Sequence, residues 1–244
     1  MFPNSHQDFL PREILEEKGL KISFSQNGED GFITSYFWLD ILNRKVGSYL
    51  DIGCFNEAIF SNTKLLSLVG WHGVALDANP VFEKPWKKAR PNDVFINTCI
   101  QTSDNKEEKN EHTNFYLFKN RQNSTSDKKR AKDLIKRGSE LLDIITVPTI
   151  TLPKLAKNIN SLFDNGLDFL SIDLEYLDYF YDLEETLKIL KPRLICLETI
   201  DKEINIENLM KSREVKIIES CDYKVLYLTG DNILASYKGI FNIK

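Results

Sequence analysis

The sequence is poor in the residues that build metal centres and disulfide frameworks. Its 244 residues include only three histidines and four cysteines, which are Cys54, Cys99, Cys196 and Cys221. The cysteines lie far apart and form no C-x-x-C pair, which argues against a zinc knuckle and against a dithiol redox motif. Because residues 54, 99 and 196 sit in or beside apolar runs, we expect buried, reduced thiols.

The chain also has no excess of basic charge and no long apolar run. Its formal net charge is -4, so no global field would attract nucleic acid or anionic lipid. No run of about 18 apolar residues is present, and the first residues do not combine a basic stretch with an apolar core. We therefore expect a cytoplasmic protein that neither binds nucleic acid nor inserts into a membrane.

Strand-like and helical segments alternate along the chain, which predicts a doubly wound, mostly parallel α/β sheet. We expect a single domain over 1–244, in which an N-terminal helical segment (1–45) contributes to the ligand site. The predicted strands end at Asp51, Asp77, Asn97, Asp173 and Glu198, with two late strands near 214–220 and 223–229 that form a hairpin. The predicted helices cover 25–43, 61–69, 153–163, 178–190 and 204–212.

Residues 103–150 interrupt this alternation. Two β-prone stretches, 113–119 and 144–152, flank a segment rich in Lys, Asp, Ser and Asn. We expect paired strands around a helical loop, an insertion that covers the substrate site. The basic residues from Lys128 to Arg137 are interpreted as a solvated helix face, with phosphate recognition as the alternative.

Carboxylates end the predicted strands, where open parallel sheets bind their ligands. Asp51 and Gly53 form the first such turn. The glycine lets the backbone approach a ligand, and the carboxylate can accept hydrogen bonds from a ligand ammonium. Asp77, at the end of the next strand, suits the two hydroxyls of a ribose. These residues predict a crevice that binds a nucleoside.

The glycines of a dinucleotide-binding turn are missing. A pyrophosphate site normally shows G-x-G-x-x-G, whereas Gly53 is followed by Cys-Phe-Asn-Glu-Ala. S-adenosylmethionine has a ribose, an ammonium and a sulfonium but no phosphate, so it matches the acidic lining better than a dinucleotide does. An NAD(P)-dependent oxidoreductase is the weaker alternative.

A second acidic motif pairs Asp173 with Glu175 at the end of the fourth parallel strand, and Glu198 ends the fifth. The alternative structural role of this motif is to cap the next helix. At a reacting hydroxyl such carboxylates serve as a general base, and His72 is a third candidate because of its intrinsic pKa. We predict no resident metal, although the three carboxylates are hard donors that leave a Mg²⁺-assisted variant open.

Seven short stretches of this chain match the motifs of a known protein family, in the same order. They are 25–30 (SQNGED), 49–53 (YLDIG), 61–63 (SNT), 70–73 (GWHG), 77–80 (DANP), 149–152 (TITL) and 168–175 (DFLSIDLE). In this set and order, over most of its length, the chain resembles the FkbM-type family of S-adenosylmethionine-dependent methyltransferases. The resemblance implies a class I fold with a seven-stranded sheet whose last strand is antiparallel. It also implies methyl transfer to a hydroxyl of a sugar or related metabolite.

The matching stretches carry the predicted cofactor site. The predicted cofactor-binding residues are Gln26, Glu29, Asp51, Gly53, Cys54, Asn56, Asn62, Asp77, Ala78, Asn79 and Asp173. The chain departs from the family at Cys54, where alanine is common, and at Tyr176, where glycine often follows the glutamate. The second departure indicates an altered substrate wall.

The acceptor is assigned to the insertion and to the later strand ends. The predicted substrate-binding residues are Arg121, Asn123, Ser124, Tyr176 and Glu198. The amides, hydroxyls and guanidinium of 120–126 suit sugar or phosphate groups, with an ordinary flexible loop as the alternative. We expect a small-molecule or glycan acceptor and leave a homo-oligomer open. A catalytically inactive binding module on a methyltransferase fold is the alternative from another functional class.

Overall fold

The computed structural model describes residues 22–103, 111–174, 179–199 and 206–238. Its strands are β1 (Ser48–Ile52), β2 (His72–Asp77), β3 (Val94–Asn97), β4 (Cys99–Gln101), β5 (His112–Phe118), β6 (Leu141–Thr151), β7 (Phe169–Ile172), β8 (Leu194–Glu198), β9 (Tyr223–Thr229) and β10 (Asn232–Tyr237). Its α-helices are α1 (Glu29–Tyr36), α2 (Trp38–Leu42), α3 (Lys64–Leu68), α4 (Glu83–Ala89), α5 (Lys128–Lys136), α6 (Leu152–Ile159), α7 (Phe180–Leu190), α8 (Ile206–Met210) and α9 (Arg213–Ser220).

Seven of these strands form one sheet in the order β3-β2-β1-β7-β8-β10-β9. β1 pairs in parallel with both β2 and β7, and β8 pairs in parallel with β7. β10 runs antiparallel to both of its neighbours, β8 and β9. This order, with the last strand reversed, confirms the predicted class I methyltransferase fold.

Helices pack on both faces of the sheet because the central strands are apolar on both sides. On one face Leu50 of β1 lies in a buried cluster with Leu155 of α6 and Leu183 of α7. On the other face Tyr49 lies in a separate cluster with Ile33 of α1. The strand order also places the carboxyl ends of β1 and β2 side by side next to that of β7, which is where a ligand site is expected.

The insertion forms a second sheet with the order β4-β6-β5. β5 and β6 pair in antiparallel fashion, and a 3₁₀ turn at Arg121–Asn123 and helix α5 lie between them. The predicted paired strands around a helical loop are therefore confirmed. The short strand β4, which pairs in parallel with the end of β6, was not predicted.

One of the two strands predicted for the C-terminal hairpin, near 214–220, is a helix in the structure. Residues 213–220 form helix α9, where the side chain of Ser212 accepts a hydrogen bond from the amide of Val215 and caps the helix. Val215 and Ile218, three positions apart, are both fully buried, so the segment buries one helical face. The hairpin is instead made of β9 and β10.

Several predicted helices are shorter than expected. The helix expected over 25–43 is divided into α1 and α2 at Phe37, and it begins only at Glu29. The helix expected over 61–69 is reduced to α3, and the one over 153–163 ends as a 3₁₀ turn at Asn160–Leu162. Polar residues before α1 and α3 are therefore left in loops.

A buried polar network lies beneath the loop that follows β1. The carboxylate of Asp93 accepts hydrogen bonds from the Tyr49 hydroxyl at 2.8 and 2.9 Å, from Trp86 Nε1 at 3.0 Å and from the Gly73 amide at 3.0 Å. The guanidinium of Arg90 lies 3.9 Å from this carboxylate. Both charged side chains are only 2% exposed. Because water cannot reach them, their hydrogen bonds have to come from neighbouring groups of the protein.

Arg90 connects this network to the loop. Its guanidinium donates to the backbone oxygen of Glu57, to Ser61 Oγ at 2.8 Å and to Thr63 Oγ1 at 2.8 Å. The Thr63 hydroxyl in turn donates to Asp51 Oδ2 at 2.6 Å. One cation therefore holds three positions of the 53–63 loop against the sheet.

Gly53 lets the turn after β1 touch the end of β7. It has a φ of 78°, and a Cβ atom at this position would overlap the backbone oxygen of Asp173. The amide of Asp173 donates to Ile52 O at 2.9 Å. The two strand ends are therefore in backbone contact, with no room for a side chain between them.

We expect Gly53→Ala to lower the free energy of unfolding by more than the roughly 1–2 kcal/mol that a left-handed φ costs a non-glycine residue. The excess arises because the new methyl group must displace the Asp173 carbonyl. Gly166→Ala is the matched control, since Gly166 has a φ of 82° and open space around its Cβ position. Urea denaturation measures both; equal losses would contradict the close approach.

We expect Arg90→Met to destabilise the fold by about 3–5 kcal/mol, because it leaves a buried carboxylate without its cation. Lys87→Met, one turn earlier on α4, removes the same charge from an exposed pair with Glu83 at 2.6 Å. That control should lose at most about 1 kcal/mol. Chemical denaturation compares the two, and similar losses would show that Arg90 does not support the network.

Candidate active site

A cleft opens beyond the carboxyl ends of β1, β2 and β7 and is bordered by residues of the insertion. Its lining residues come from the turn after β1, the ends of β2 and β7, strand β4 and the loop before α5. They are Gln26, Gly53, Phe55, Phe60, Leu76, Asp77, Ala78, Asn79, Phe82, Thr98, Cys99, Ile100, Phe115, Arg121, Gln122, Ser124, Thr125, Ser126, Arg130, Asp173 and Leu174. The insertion therefore forms part of the wall of this cleft.

Asp77 organises the loops on either side of the cleft. Its Oδ2 accepts from the Phe55 amide at 3.0 Å, and its Oδ1 accepts from the Asn79 amide at 2.7 Å. Phe55 has a φ of 48°, a conformation that is costly for a bulky residue and has to be held in place. Burial raises the pKa of Asp77 to about 6, and the two amides act against this shift. The half-buried carboxylate retains lone pairs for a ligand.

Asp51 lies below the turn and is not a lining residue. Its carboxylate is 4% exposed and is bound by the Thr63 hydroxyl. Burial raises the pKa of Asp51 to about 6, with Thr63 and Arg90 lowering it in part. The structure thus assigns Asp51 to the support of the loop, whereas direct contact with a ligand was expected.

The polar segment before α1 reaches the cleft through Gln26. Glu29 is fully buried and accepts from the Asn27 amide and from Asn232 Nδ2, both at 2.9 Å. Asp30 accepts from the Phe24 amide at 2.6 Å and from Ser23 Oγ at 2.7 Å. These two acids fix the segment to β10 and to helix α1, and Gln26 is its lining side chain.

Asp173 borders the cleft at the end of β7 with an exposed side chain. It directly follows the strand, beside the turn at Gly53. The predicted partner Glu175 and the substrate residue Tyr176 fall outside the described residues. Of the acidic motif, the structure therefore places Asp173 at the cleft.

Three predicted cofactor residues in the loop after β1 point elsewhere. Cys54 packs under the turn with Phe82 and Trp86 and is 4% exposed. Asn56 Oδ1 accepts from the amides of residues 58 and 59, within its own turn. Asn62 Nδ2 donates to Ser171 Oγ at 3.1 Å. These side chains shape the loop and do not line the cleft.

Four other residues predicted to bind the cofactor, Gly53, Asp77, Ala78 and Asn79, line the cleft. All four cysteines are buried and free, as expected. Cys99 nevertheless borders the cleft, and burial raises the pKa of its thiol.

His72 lies away from the cleft, and Glu198 is not among its lining residues. His72 begins β2, whereas the cleft lies past Asp77 at the other end, roughly 16 Å away at the rise of an extended strand. This corrects the expectation that His72 is a candidate base. Glu198 ends β8 with 8% exposure and does not line the cleft, which likewise corrects its assignment to the substrate.

The insertion places several predicted and unpredicted side chains on the cleft. Of the predicted substrate-binding residues in the insertion, Arg121 and Ser124 line the cleft. Asn123 does not, because its Nδ2 donates to Ser139 Oγ at 3.3 Å. Gln122, Thr125 and Ser126 also line the cleft and belong to the 120–126 segment that was assigned to sugar or phosphate groups, although they were not named individually. Apart from Cys99, the lining residues that were not predicted as site residues are Arg130, Thr98 and the apolar wall of Phe55, Phe60, Leu76, Phe82, Ile100, Phe115 and Leu174. The signal for Arg130 was present in the basic cluster of 128–137.

The described residues contain no group of three or more His, Cys, Asp or Glu side chains arranged to hold a metal ion. Glu175, one of the three donors proposed for Mg²⁺, lies outside the described residues.

In the part of the chain described, no helix has both the length and the apolar character needed to cross a membrane.

Comparison with solved structures finds several to which the chain is similar. The chain is similar to a putative caffeoyl-CoA O-methyltransferase from Staphylococcus aureus (13% identity, TM-score 0.44, 93% of this chain and 90% of that one). It is similar to the O-methyltransferase from Bacillus cereus, solved in complex with SAH (12% identity, TM-score 0.45, 91% and 86%). It is also similar to methyltransferase FkbM from Methylobacillus flagellatus KT (10% identity, TM-score 0.42), covering 79% of this chain but 44% of that one.

The sequence comparisons are more specific. No curated relative matches the chain significantly. The family model described as the methyltransferase FkbM domain matches residues 46–225, a range that includes the strand ends at Gly53, Asp77 and Asp173 and the whole insertion. The chain therefore belongs to the family of methyltransferases with an FkbM domain.

Proposed function

We propose that this protein uses S-adenosylmethionine to methylate a hydroxyl of a sugar, a glycan precursor or a related metabolite. The observation that carries the proposal is the pairing of Gly53 and Asp77 at adjacent strand ends, on one cleft with Asp173. Membership of the methyltransferase family supports the reaction class. The polar insertion beside these residues supports a polar acceptor.

The residues of the cleft fit this cofactor. Gly53 has no side chain, so the turn after β1 lies directly against the Asp173 carbonyl and both strand ends border the cleft. Asp77 offers carboxylate oxygens to the two hydroxyls of a ribose. Leu76 and Ile100 supply apolar surface for a planar base. When bound, S-adenosylmethionine supplies an electrophilic methyl group attached to a sulfonium.

The remaining task of the protein is to position the acceptor and to accept its proton. Asp173 is the described carboxylate best placed for this, since it lines the cleft beside the turn at Gly53. A positioned general base typically accelerates such a step by about 10²- to 10⁴-fold. Glu175, which shares the motif, is the second candidate.

We expect Asp77→Asn to weaken the binding of S-adenosylhomocysteine by roughly 10- to 100-fold, the equivalent of one or two charged hydrogen bonds. Asp164→Asn is the matched control, because Asp164 is exposed in the loop before β7, at the opposite edge of the sheet. Isothermal titration calorimetry measures both. Unchanged affinity in the Asp77 variant would refute the ribose assignment.

The same carboxylate should make binding depend on pH. Since burial raises the pKa of Asp77 to about 6, the side chain becomes protonated as the pH falls below that value and loses acceptor capacity. The affinity for S-adenosylhomocysteine should therefore decrease from pH 7.5 to pH 5, and the decrease should be smaller in Asp77→Asn. Burial also raises the pKa of Asp51 to about 6, and a small dependence that remains in Asp77→Asn is expected from this group. An equal decrease in both proteins would contradict the role of Asp77.

We expect the purified protein to form S-adenosylhomocysteine from S-adenosylmethionine when a suitable member of a panel of nucleotide sugars and glycans is present. Asp173→Asn should lower kcat by about 10²-fold or more while leaving cofactor affinity within about threefold. Cofactor binding without turnover across a broad panel would favour the inactive binding module. Absence of cofactor binding would refute the proposed function.

A further inference from the structure

The charged residues of the cleft are separated by sign. Four of the described lining residues carry a charge at neutral pH. The two acids, Asp77 and Asp173, lie at the strand ends, and the two bases, Arg121 and Arg130, belong to the insertion. A ligand that spans the cleft therefore meets an acidic wall at one side and a basic wall at the other.

The fold holds the basic wall in place. The side chain of Asn120 accepts from the Gln122 amide at the start of the 3₁₀ turn that carries Arg121. The side chain of Asp127 caps α5 by accepting from the amides of Lys129 at 2.6 Å and Arg130 at 3.0 Å. Arg121 thus begins a capped turn, and Arg130 lies in the first turn of a capped helix.

A β-bridge fixes the segment between these two turns. The amide of Tyr116 donates to Thr125 O at 2.9 Å, and the amide of Thr125 donates to Tyr116 O at 3.1 Å. The Thr125 side chain is 7% exposed. Both arginines are therefore attached to backbone that is pinned to β5, which limits the entropy lost when they bind a ligand.

Arg121 is placed against the apolar wall of the cleft. Its guanidinium carbon lies 5.9 Å from the centre of the Phe82 ring, which is the outer range of a cation–π contact. Among the described residues Arg121 forms no ion pair, and its side chain is exposed. Its five N–H donors are therefore available to an anionic ligand.

Hydroxyl groups supply further donors beside the arginines. Ser124 Oγ accepts from the Phe118 amide at 3.1 Å, and Thr125 Oγ1 accepts from the Asp127 amide at 3.1 Å. Because these oxygens already accept hydrogen bonds from amides, each hydroxyl hydrogen remains to be donated. Both residues line the cleft, so the wall offers donors of two kinds.

We infer that the insertion wall is a phosphate subsite and that the acceptor carries a phosphate ester. Guanidinium groups bind phosphate in bidentate fashion, and two of them with nearby hydroxyl donors suit a doubly charged oxyanion. The acids at the strand ends would repel the same group, so the phosphate is directed to the insertion and the rest of the acceptor faces Asp173. This inference rests on the proposed function, because it concerns the acceptor half of the same cleft.

To test this inference, inorganic pyrophosphate is titrated into protein saturated with S-adenosylhomocysteine, and isothermal titration calorimetry measures its binding. We expect saturable binding that weakens with added salt. Arg121→Gln and Arg130→Gln should each weaken it by about tenfold or more. Arg137→Gln is the matched control, since it removes the same charge from an exposed residue just after α5 that does not line the cleft. It should bind pyrophosphate within about twofold of the unmodified protein.

The phosphate subsite would be overturned if pyrophosphate did not bind, or if binding weakened equally in all three arginine variants. Glucuronate binding as tightly as pyrophosphate would also overturn it, in favour of a carboxylate acceptor. Affinity for S-adenosylhomocysteine, measured first on every variant, should be unchanged and shows that the variants fold. If the unmodified protein does not bind S-adenosylhomocysteine, the proposed function itself fails.

Discussion

The buried pair of Arg90 and Asp93 is the interaction on which the arrangement of the strand ends at the cleft depends. Asp93 gathers donors from β1, β2 and α4, and Arg90 extends the same network to the loop that follows β1. Taking two charges out of water costs several kcal/mol per ion, a cost that is offset only when nearly all their hydrogen-bonding groups are matched. Here the matching groups come from the elements that must meet to form the turn at Gly53, so the network specifies their arrangement.

That arrangement sets the electrostatics of the cleft. Asp51 and Asp77 are close enough to influence each other, and burial raises the pKa of each to about 6. Arg90, which lies beneath the loop, lowers the pKa of Asp51 in part. On the side of the cleft no described lining residue of the strand ends supplies a positive charge. A cationic ligand is therefore favoured there, because it would lower the pKa of Asp77 and stabilise its ionised form.

The alternation of strands and helices and the acids at the strand ends could be predicted because both are local patterns. The positions of β1, β2, β7 and β8 were predicted from apolar runs that end in a carboxylate. The order of the parallel strands brings three of these ends together. The same logic failed at 213–220, where Val215, Ile217 and Ile218 have high β-propensity. Capping by Ser212 and burial of one helical face outweighed that propensity.

Side-chain direction in the loops could not be predicted from the sequence. Gly53 and Phe55 both have a positive φ, which breaks the alternation that would otherwise place Cys54 and Asn56 on known sides. The role of Arg90 in the loop gave no local signal, since the groups to which its guanidinium donates hydrogen bonds lie 27 to 41 residues away along the chain. His72 was considered a base because of its residue type, yet the register of β2 with β1 pairs it with Ser48, at the beginning of both strands.

The two walls of the cleft have different structural origins, and this difference bears on how an acceptor is chosen. The acidic wall is formed by strand ends that the central sheet and the Arg90 network hold in place. The basic wall belongs to a separate sheet, in which α5 and the 3₁₀ turn lie between β5 and β6. Changes in the insertion can therefore alter the acceptor without disturbing Gly53 or Asp77. On the proposed function, the sheet determines the methyl donor, and the charge and donors of residues 121–130 determine which acceptor hydroxyl is presented to Asp173.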